Sequence, residues 1–351
     1  MMSWEDNVRK MDPYIPGEQP DFPDMVKLNT NENPYPPAPG VRKLLAELDA
    51  DRLKLYPKPD AKELVEALAK AYGVDVKNVF MGVGSDDVLG TAFLTFFTGD
   101  KPVLFPDISY SFYPVWAKLY RIPFETPALD ENFCIVKEDY MRENGGIVIS
   151  NPNAPTSIAV SMDFIEDIAK ANPDSVVIVD EAYVDYGGES CIPLTKKYDN
   201  VLVVQTFSKS RSMAGMRIGF AIGNEKLISY MFDVRNSYNS YTMNYPSIMC
   251  GAEALKDKAY FEETTRKIIA TREKYKKILC EIGFDCPDSC SNFLFAEHKT
   301  MAAKVIFEKL REKHVFVRYF KTPRIDNRLR ITIGTEDEME KLVSALKEIL
   351  A

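Results

Sequence analysis

The stretch VLVVQTFSKSRSMAGMR, residues 201–217, decides how the rest of the chain is read. It opens on an apolar run, Val201 to Gln205, suited to a strand buried on both faces, and passes at once into a turn rich in Ser, Lys and Arg. Toward the amino terminus the same design recurs in SVVIVD (175–180), GIVIS (146–150), PVLF (102–105) and VFMG (79–82). Helical segments lie between these runs, MDFIEDIAKAN (162–172) being the clearest. Repeated β-α-β order predicts an α/β fold, with a large domain whose mostly parallel central sheet carries helices on both faces.

In an open sheet of this kind ligands bind beyond the carboxyl ends of the strands. The candidate site is therefore read from GSDD (84–87), DISY (107–110), NPNAPTS (151–157), DEAY (180–183) and the turn at 206–217. Lys209 is the sharpest feature. An amine at a strand end, beside Ser208 and Ser210 and eight residues before Arg217, suits covalent capture of a carbonyl cofactor next to a phosphate clamp. Taken alone, a loop lysine is more often solvated. Asp180 closes an apolar strand, where a carboxylate needs a cation or several donors. A protonated ring nitrogen would serve, with Tyr183 in reach of the same ligand; capping of the next segment is the alternative. GVGSDD lacks the last glycine of a dinucleotide fingerprint, which discounts a nicotinamide enzyme, yet its turn still offers N–H groups to one phosphate.

Around this core the chain divides into three. Six prolines between Pro13 and Pro36 predict an extended arm over residues 1–40 that also supplies part of a small domain. Residues 41–250 read as the large domain, with helical spacing in 41–56 and in AKELVEALAKAYG (61–73). Residues 251–351 read as a small α+β domain: a long helix-forming stretch (247–283) leads into strands NFLFAEH, VFVRYF and LRITIG with helices between and after them.

Composition narrows the partners. Lys plus Arg is 44 against 52 Asp plus Glu, and a net charge of −8 argues against nucleic acid and anionic membranes. The two histidines, His298 and His314, and six cysteines without a C-x-x-C pair predict no metal site and no disulfide framework. The first ten residues lack a signal-peptide apolar region, and no apolar run approaches the roughly 20 residues that span a bilayer. A soluble cytoplasmic protein is expected.

DEAY followed by SK-x-x-x-x-AG-x-R resembles the fold type I, pyridoxal-phosphate-dependent aminotransferases. LNTNENPYPP (28–37), VFVRYF (315–320) and LRITIGT (329–335) narrow the resemblance to the histidinol-phosphate aminotransferases, over nearly the whole chain. The resemblance implies that Lys209 carries pyridoxal 5'-phosphate, that Asp180 keeps its ring nitrogen protonated, and that Tyr183 donates to its phenolic oxygen. Tyr110 would stack on the ring. Backbone at Gly84, Ser85 and Asp86, with Thr206, Ser208 and Arg217, would hold the phosphate. Tyr56, in LYPKPD, would reach the neighbouring subunit's cofactor phosphate, which implies a homodimer with shared sites. Arg330 and Arg318 would grip the anionic end of the substrate, with Asn31 beside them. One departure stands out: Ala154-Pro155-Thr156-Ser157 replaces the family's N-P-T-G, so either Asn153 or Tyr183 alone serves the phenolic oxygen. The activity implied is amino transfer from histidinol phosphate to 2-oxoglutarate, two small anionic substrates. An aromatic-amino-acid aminotransferase, a threonine-phosphate decarboxylase and a non-catalytic binding module are the alternatives.

Overall fold

The computed structural model describes residues 3–351; Met1 and Met2, the start of the expected arm, lie outside the described residues. Strand β1 (Val26–Leu28) comes from the arm. It is followed by β2 (Val79–Gly82), β3 (Val103–Leu104), β4 (Phe124–Glu125), β5 (Gly146–Ser150), β6 (Val177–Asp180), β7 (Val201–Thr206) and β8 (Gly219–Gly223). The chain then adds β9 (Phe284–Asp285), β10 (Phe293–His298), β11 (Val315–Tyr319) and β12 (Leu329–Thr332). One sheet has the order β2-β8-β7-β6-β5-β3-β4 and the other β1-β11-β12-β10-β9.

The large sheet is parallel from β7 through β4, and β8 runs antiparallel to both β7 and β2. Its side chains divide by the two-residue period of a strand. Ile147, Ile149, Val177, Val179, Val201 and Val203 face a core shared with helices Lys62–Tyr72, Met162–Ala171 and Tyr245–Ala254. Val148, Ile178, Leu202 and Val204 face helices Ser85–Phe96, Tyr113–Tyr120 and Glu225–Tyr238 on the other side. Each such side chain contributes about 1.5–3 kcal/mol by leaving water, which is why these short strands read so clearly as apolar runs.

The strand patterns expected from the sequence are present, and three details differ. Strand β8 went unread because glycines bracket it; a Cβ on Gly219 would lie 2.3 Å from the Gly84 carbonyl carbon and the Ser85 nitrogen, so the close approach requires glycine. The helical pattern over 41–56 gives only helix Pro39–Ala46 and a short 3-10 turn, Ala50–Lys54, capped by Asp49. Its apolar residues Leu53 and Leu55 stay 58% exposed, so no core holds them in helical phase. The stretch 247–283 is two helices, because Asp257 accepts the Tyr260 N–H and starts a second one, Lys258–Glu281.

In the small sheet β11, β12, β10 and β9 pair antiparallel, and β1 joins parallel to β11. The arm thus enters the structure as an edge strand. Antiparallel pairing of Arg318 with Arg330 sets these two residues opposite each other on neighbouring strands.

Candidate active site

Between the carboxyl edge of the large sheet and the small sheet lies a cavity of about 710 Å³. Lys209, Asp180, Tyr183, Tyr110, Ser85, Asp86, Thr206, Ser208 and Arg217 line it from the large-sheet side, and Arg318, Arg330 and Asn31 from the other. Gly84, Asn153 and Tyr56 are not among its lining residues.

Asp180 is the last residue of β6 and is only 3% exposed. Its carboxylate accepts the Tyr113 hydroxyl at 2.7 Å and the Ala182 N–H at 3.2 Å, and no lysine or arginine pairs with it among the described residues. Burial pushes its carboxyl up to about 6. A cationic N–H arriving in the cavity would hold it ionised.

Lys209 donates through Nζ to the Thr30 carbonyl at 3.1 Å and stands 5.8 Å from the centre of the Tyr183 ring. Loss of solvent, reinforced by the charge of Arg330, pulls its amine down to about 8. Such an amine reaches its neutral, nucleophilic form far more readily than a surface lysine.

The anion cradle is largely backbone. Helix Ser85–Phe96 starts at Gly84 with no side-chain cap, so its first N–H groups remain available. Gly84 has φ 89°, and a Cβ there would meet Arg217 Nη2 at 2.4 Å. Among the described residues the Arg217 side chain makes only long hydrogen bonds, 3.3 Å to the Ala214 carbonyl and 3.4 Å to Asp86, which also accepts the Tyr110 hydroxyl at 2.7 Å. Thr206 and Ser208 hydroxyls lie 3.0 Å apart at the same edge. Uncapped N–H groups, paired hydroxyls and a loosely held guanidinium fit a phosphate, and the buried carboxylate and depressed amine beside them fit the ring and carbonyl of pyridoxal phosphate.

At the opposite wall Arg330 donates Nη2 to the Asn29 carbonyl at 3.0 Å, while its Nε is buried with no partner among the described residues. Its guanidinium lies 5.4 Å from the Phe293 ring centre and 5.7 Å from that of Phe320. Arg318 reaches the arm, donating to the Ile15 carbonyl at 3.3 Å and the Pro16 carbonyl at 3.5 Å.

Asn153 does not turn into the cavity. Its amide donates to the Ile108 carbonyl and to Thr156, both at 2.9 Å, and accepts from Ser109 at 2.7 Å. Ala154, 5% exposed, and Pro155 are the residues of that loop on the wall. Tyr56 is 82% exposed and packs 4.7 Å from Tyr241. Sequence reasoning missed Tyr113, whose spacing of three from Tyr110 at a helix entry was the available signal. It also missed Tyr14, stacked 4.3 Å from Phe112 at the cavity mouth, where the proline-rich arm has no periodicity to mark it.

The family model "Aminotransferase class I and II" matches residues 23–346. The chain belongs to that family. It is 49% identical over 349 residues to the histidinol-phosphate aminotransferase of Lactococcus lactis subsp. cremoris (strain MG1363), covering 99% of this chain and 98% of that protein. It is also 49% identical to the histidinol-phosphate aminotransferase of Acinetobacter baumannii (strain SDF), with 99% and 97% covered. The fold matches the crystal structure of histidinol-phosphate aminotransferase from Sinorhizobium meliloti in complex with pyridoxal-5'-phosphate, with TM-score 0.84, 23% identity, and 92% and 90% of the chains covered. Among the described residues no helix is long and apolar enough to cross a membrane, and no cluster of His, Cys, Asp and Glu could hold a metal ion.

Proposed function

We propose that this aminotransferase binds pyridoxal phosphate and moves the amino group of histidinol phosphate to 2-oxoglutarate in histidine biosynthesis. The observation that carries the reading is the meeting, in one cavity, of a lysine held near 8, a buried carboxylate without a cation, and two arginines on the far wall. Bound there, the cofactor supplies a carbonyl for amines and a protonated ring that takes up an electron pair. The residues of the chain do the rest. Asp180, oriented by the Tyr113 hydroxyl, holds the ring nitrogen's proton. Lys209 Nζ would take the proton from the carbon that bears the substrate amine and hold it for return. The cradle at Ser85, Asp86, Thr206, Ser208 and Arg217 anchors the cofactor phosphate, and Tyr110 covers the ring. Arg330, with an unused Nε, and Arg318 take the phosphate ester of one substrate and a carboxylate of the other.

A homodimer in the cytoplasm completes the reading. Leu53, Leu55 and Tyr56 are 58%, 58% and 82% exposed in one segment, beside the 47% exposed Tyr241. An apolar patch of this kind is suited to burial against a second copy, and the family resemblance implies that Tyr56 then reaches its partner's cradle.

Purified protein is expected to be yellow, to bleach on borohydride treatment, and to lose the colour in Lys209→Ala. Steady-state assays with histidinol phosphate, phenylalanine and threonine phosphate test the substrate. Brisk turnover of phenylalanine with none of histidinol phosphate would overturn the assignment. Mixing inactive Lys209→Ala with Tyr56→Ala chains tests the sharing of sites: hybrid dimers carry one intact site, so activity above that of either parent is expected.

A further inference from the structure

Asn31 was expected beside the substrate, and the structure gives its amide a different occupation. Asn31 is 1% exposed, and its Nδ2 donates to the Tyr183 hydroxyl at 2.9 Å, the one hydrogen-bond partner that oxygen has among the described residues. The Asn31 Oδ1 accepts the Thr332 hydroxyl at 3.0 Å, and the Thr332 oxygen accepts the Asn31 backbone N–H, also at 3.0 Å. A third tie, from Asn292 Nδ2 to the Asn31 carbonyl at 3.0 Å, fixes the backbone in its left-handed conformation, φ 57°.

These bonds have one consistent direction. Thr332 receives a proton from the Asn31 backbone, so it donates its own to the Asn31 Oδ1. That leaves Nδ2 facing Tyr183, whose oxygen receives and whose proton points elsewhere. With the amide flipped, Thr332 would receive two protons and have no acceptor for its own. Arm, β12 and the loop after β6 thus meet in a short relay that ends on the Tyr183 O–H, inside the cavity.

The neighbouring loop makes the relay matter. Ala154 has no side-chain donor, and the Asn153 amide is spent within its own turn. Tyr183 is then the side-chain donor left on this wall, and an unanchored phenol would be free to turn its proton away. We propose that Asn31, held by Thr332, is a positioning residue that commits the Tyr183 proton to the phenolic oxygen of the bound cofactor. The proposal rests on the cofactor reading given above. Charged groups facing Tyr183 are Lys209 and Arg330, with Asp180 and Asp86 across the cavity.

Spectrophotometric pH titration of the holoenzyme tests it. A donated proton stabilises an anionic oxygen, so losing the donor raises the pH at which the visible band changes. Tyr183→Phe is expected to move that midpoint up by about one pH unit and Asn31→Ala by about half a unit, the worth of one hydrogen bond or part of one. In the Tyr183→Phe background Asn31→Ala should add nothing, because the relay acts only through that hydroxyl. Thr332→Val should move the midpoint in the same direction as Asn31→Ala, and it carries the test if Asn31→Ala fails to retain cofactor. A shift from Asn31→Ala that persists in the Phe background, or no shift where Tyr183→Phe gives one, overturns the relay. No shift from Tyr183→Phe itself removes the cofactor reading of Tyr183, and the relay with it.

Discussion

At the large-sheet end of the cavity the anion holder is mostly backbone. Gly84 with the uncapped helix start, and the Thr206–Ser208 turn, build it from two short local segments, with Arg217 added from beyond the second. At the small-sheet end it is side chain: Arg330 and Arg318 from β12 and β11, propped on arm carbonyls roughly 300 residues away, at Asn29, Ile15 and Pro16. A backbone cradle is rigid and suits a group that stays. An arginine pair resting on non-strand carbonyls of the arm suits groups that come and go. On the proposed function, the difference teaches that one cavity separates retention of cofactor from exchange of substrate.

Several substitutions would break or sharpen that division. Lys209→Ala stands between the two ends and has the largest effect: turnover should fall by about 10⁴-fold or more in a single-turnover assay, with the affinity for histidinol phosphate far less changed. Arg330→Ala should lower kcat/KM for histidinol phosphate by about 100-fold, read in steady-state kinetics, with cofactor affinity intact. Arg330→Lys should recover little, since an ammonium cannot reproduce the fork. Gly84→Ala should do the reverse, weakening cofactor binding by about tenfold by fluorescence titration of the apoenzyme while leaving KM alone, because its Cβ would displace Arg217. If Arg330→Ala released cofactor as readily as Gly84→Ala does, the division would not exist.

The smallest effect concerns the carboxyl next to Asp180. Glu181 is buried among Gln205, Ser190 and the Cys191 N–H, and burial pushes it up to about 7. A carboxyl raised in the folded state keeps a proton that the unfolded chain releases, so its contribution falls as pH rises from about 4.5 toward 7 and levels off above. In apoenzyme thermal melts, Glu181→Gln should flatten the decline of Tm over that window.

The same contrast explains what could be read from the sequence. The large-sheet strands and the cradle were legible because each is local: an apolar run, then a polar turn carrying the ligand-facing groups, as in Val201 to Arg217. Strand β8 was hidden by the glycine its close approach requires. At the small-sheet end Arg318 and Arg330 came from resemblance alone, since nothing in their strands' periodicity separates them from surface arginines. Tyr14 and the Asn31–Thr332 link depend on the arm crossing the whole chain, a long-range pairing no window of sequence contains. The direction of the Asn153 amide was likewise settled by its partners Ile108 and Ser109, far away in sequence.

The most direct test of the central claim is a half-reaction. Holoenzyme is mixed with histidinol phosphate in the absence of any keto acid, and the visible band is followed. One equivalent of bleaching per site, reversed by adding 2-oxoglutarate, is the expected result. A band unchanged by histidinol phosphate yet bleached by phenylalanine, or release of carbon dioxide from threonine phosphate, would contradict it.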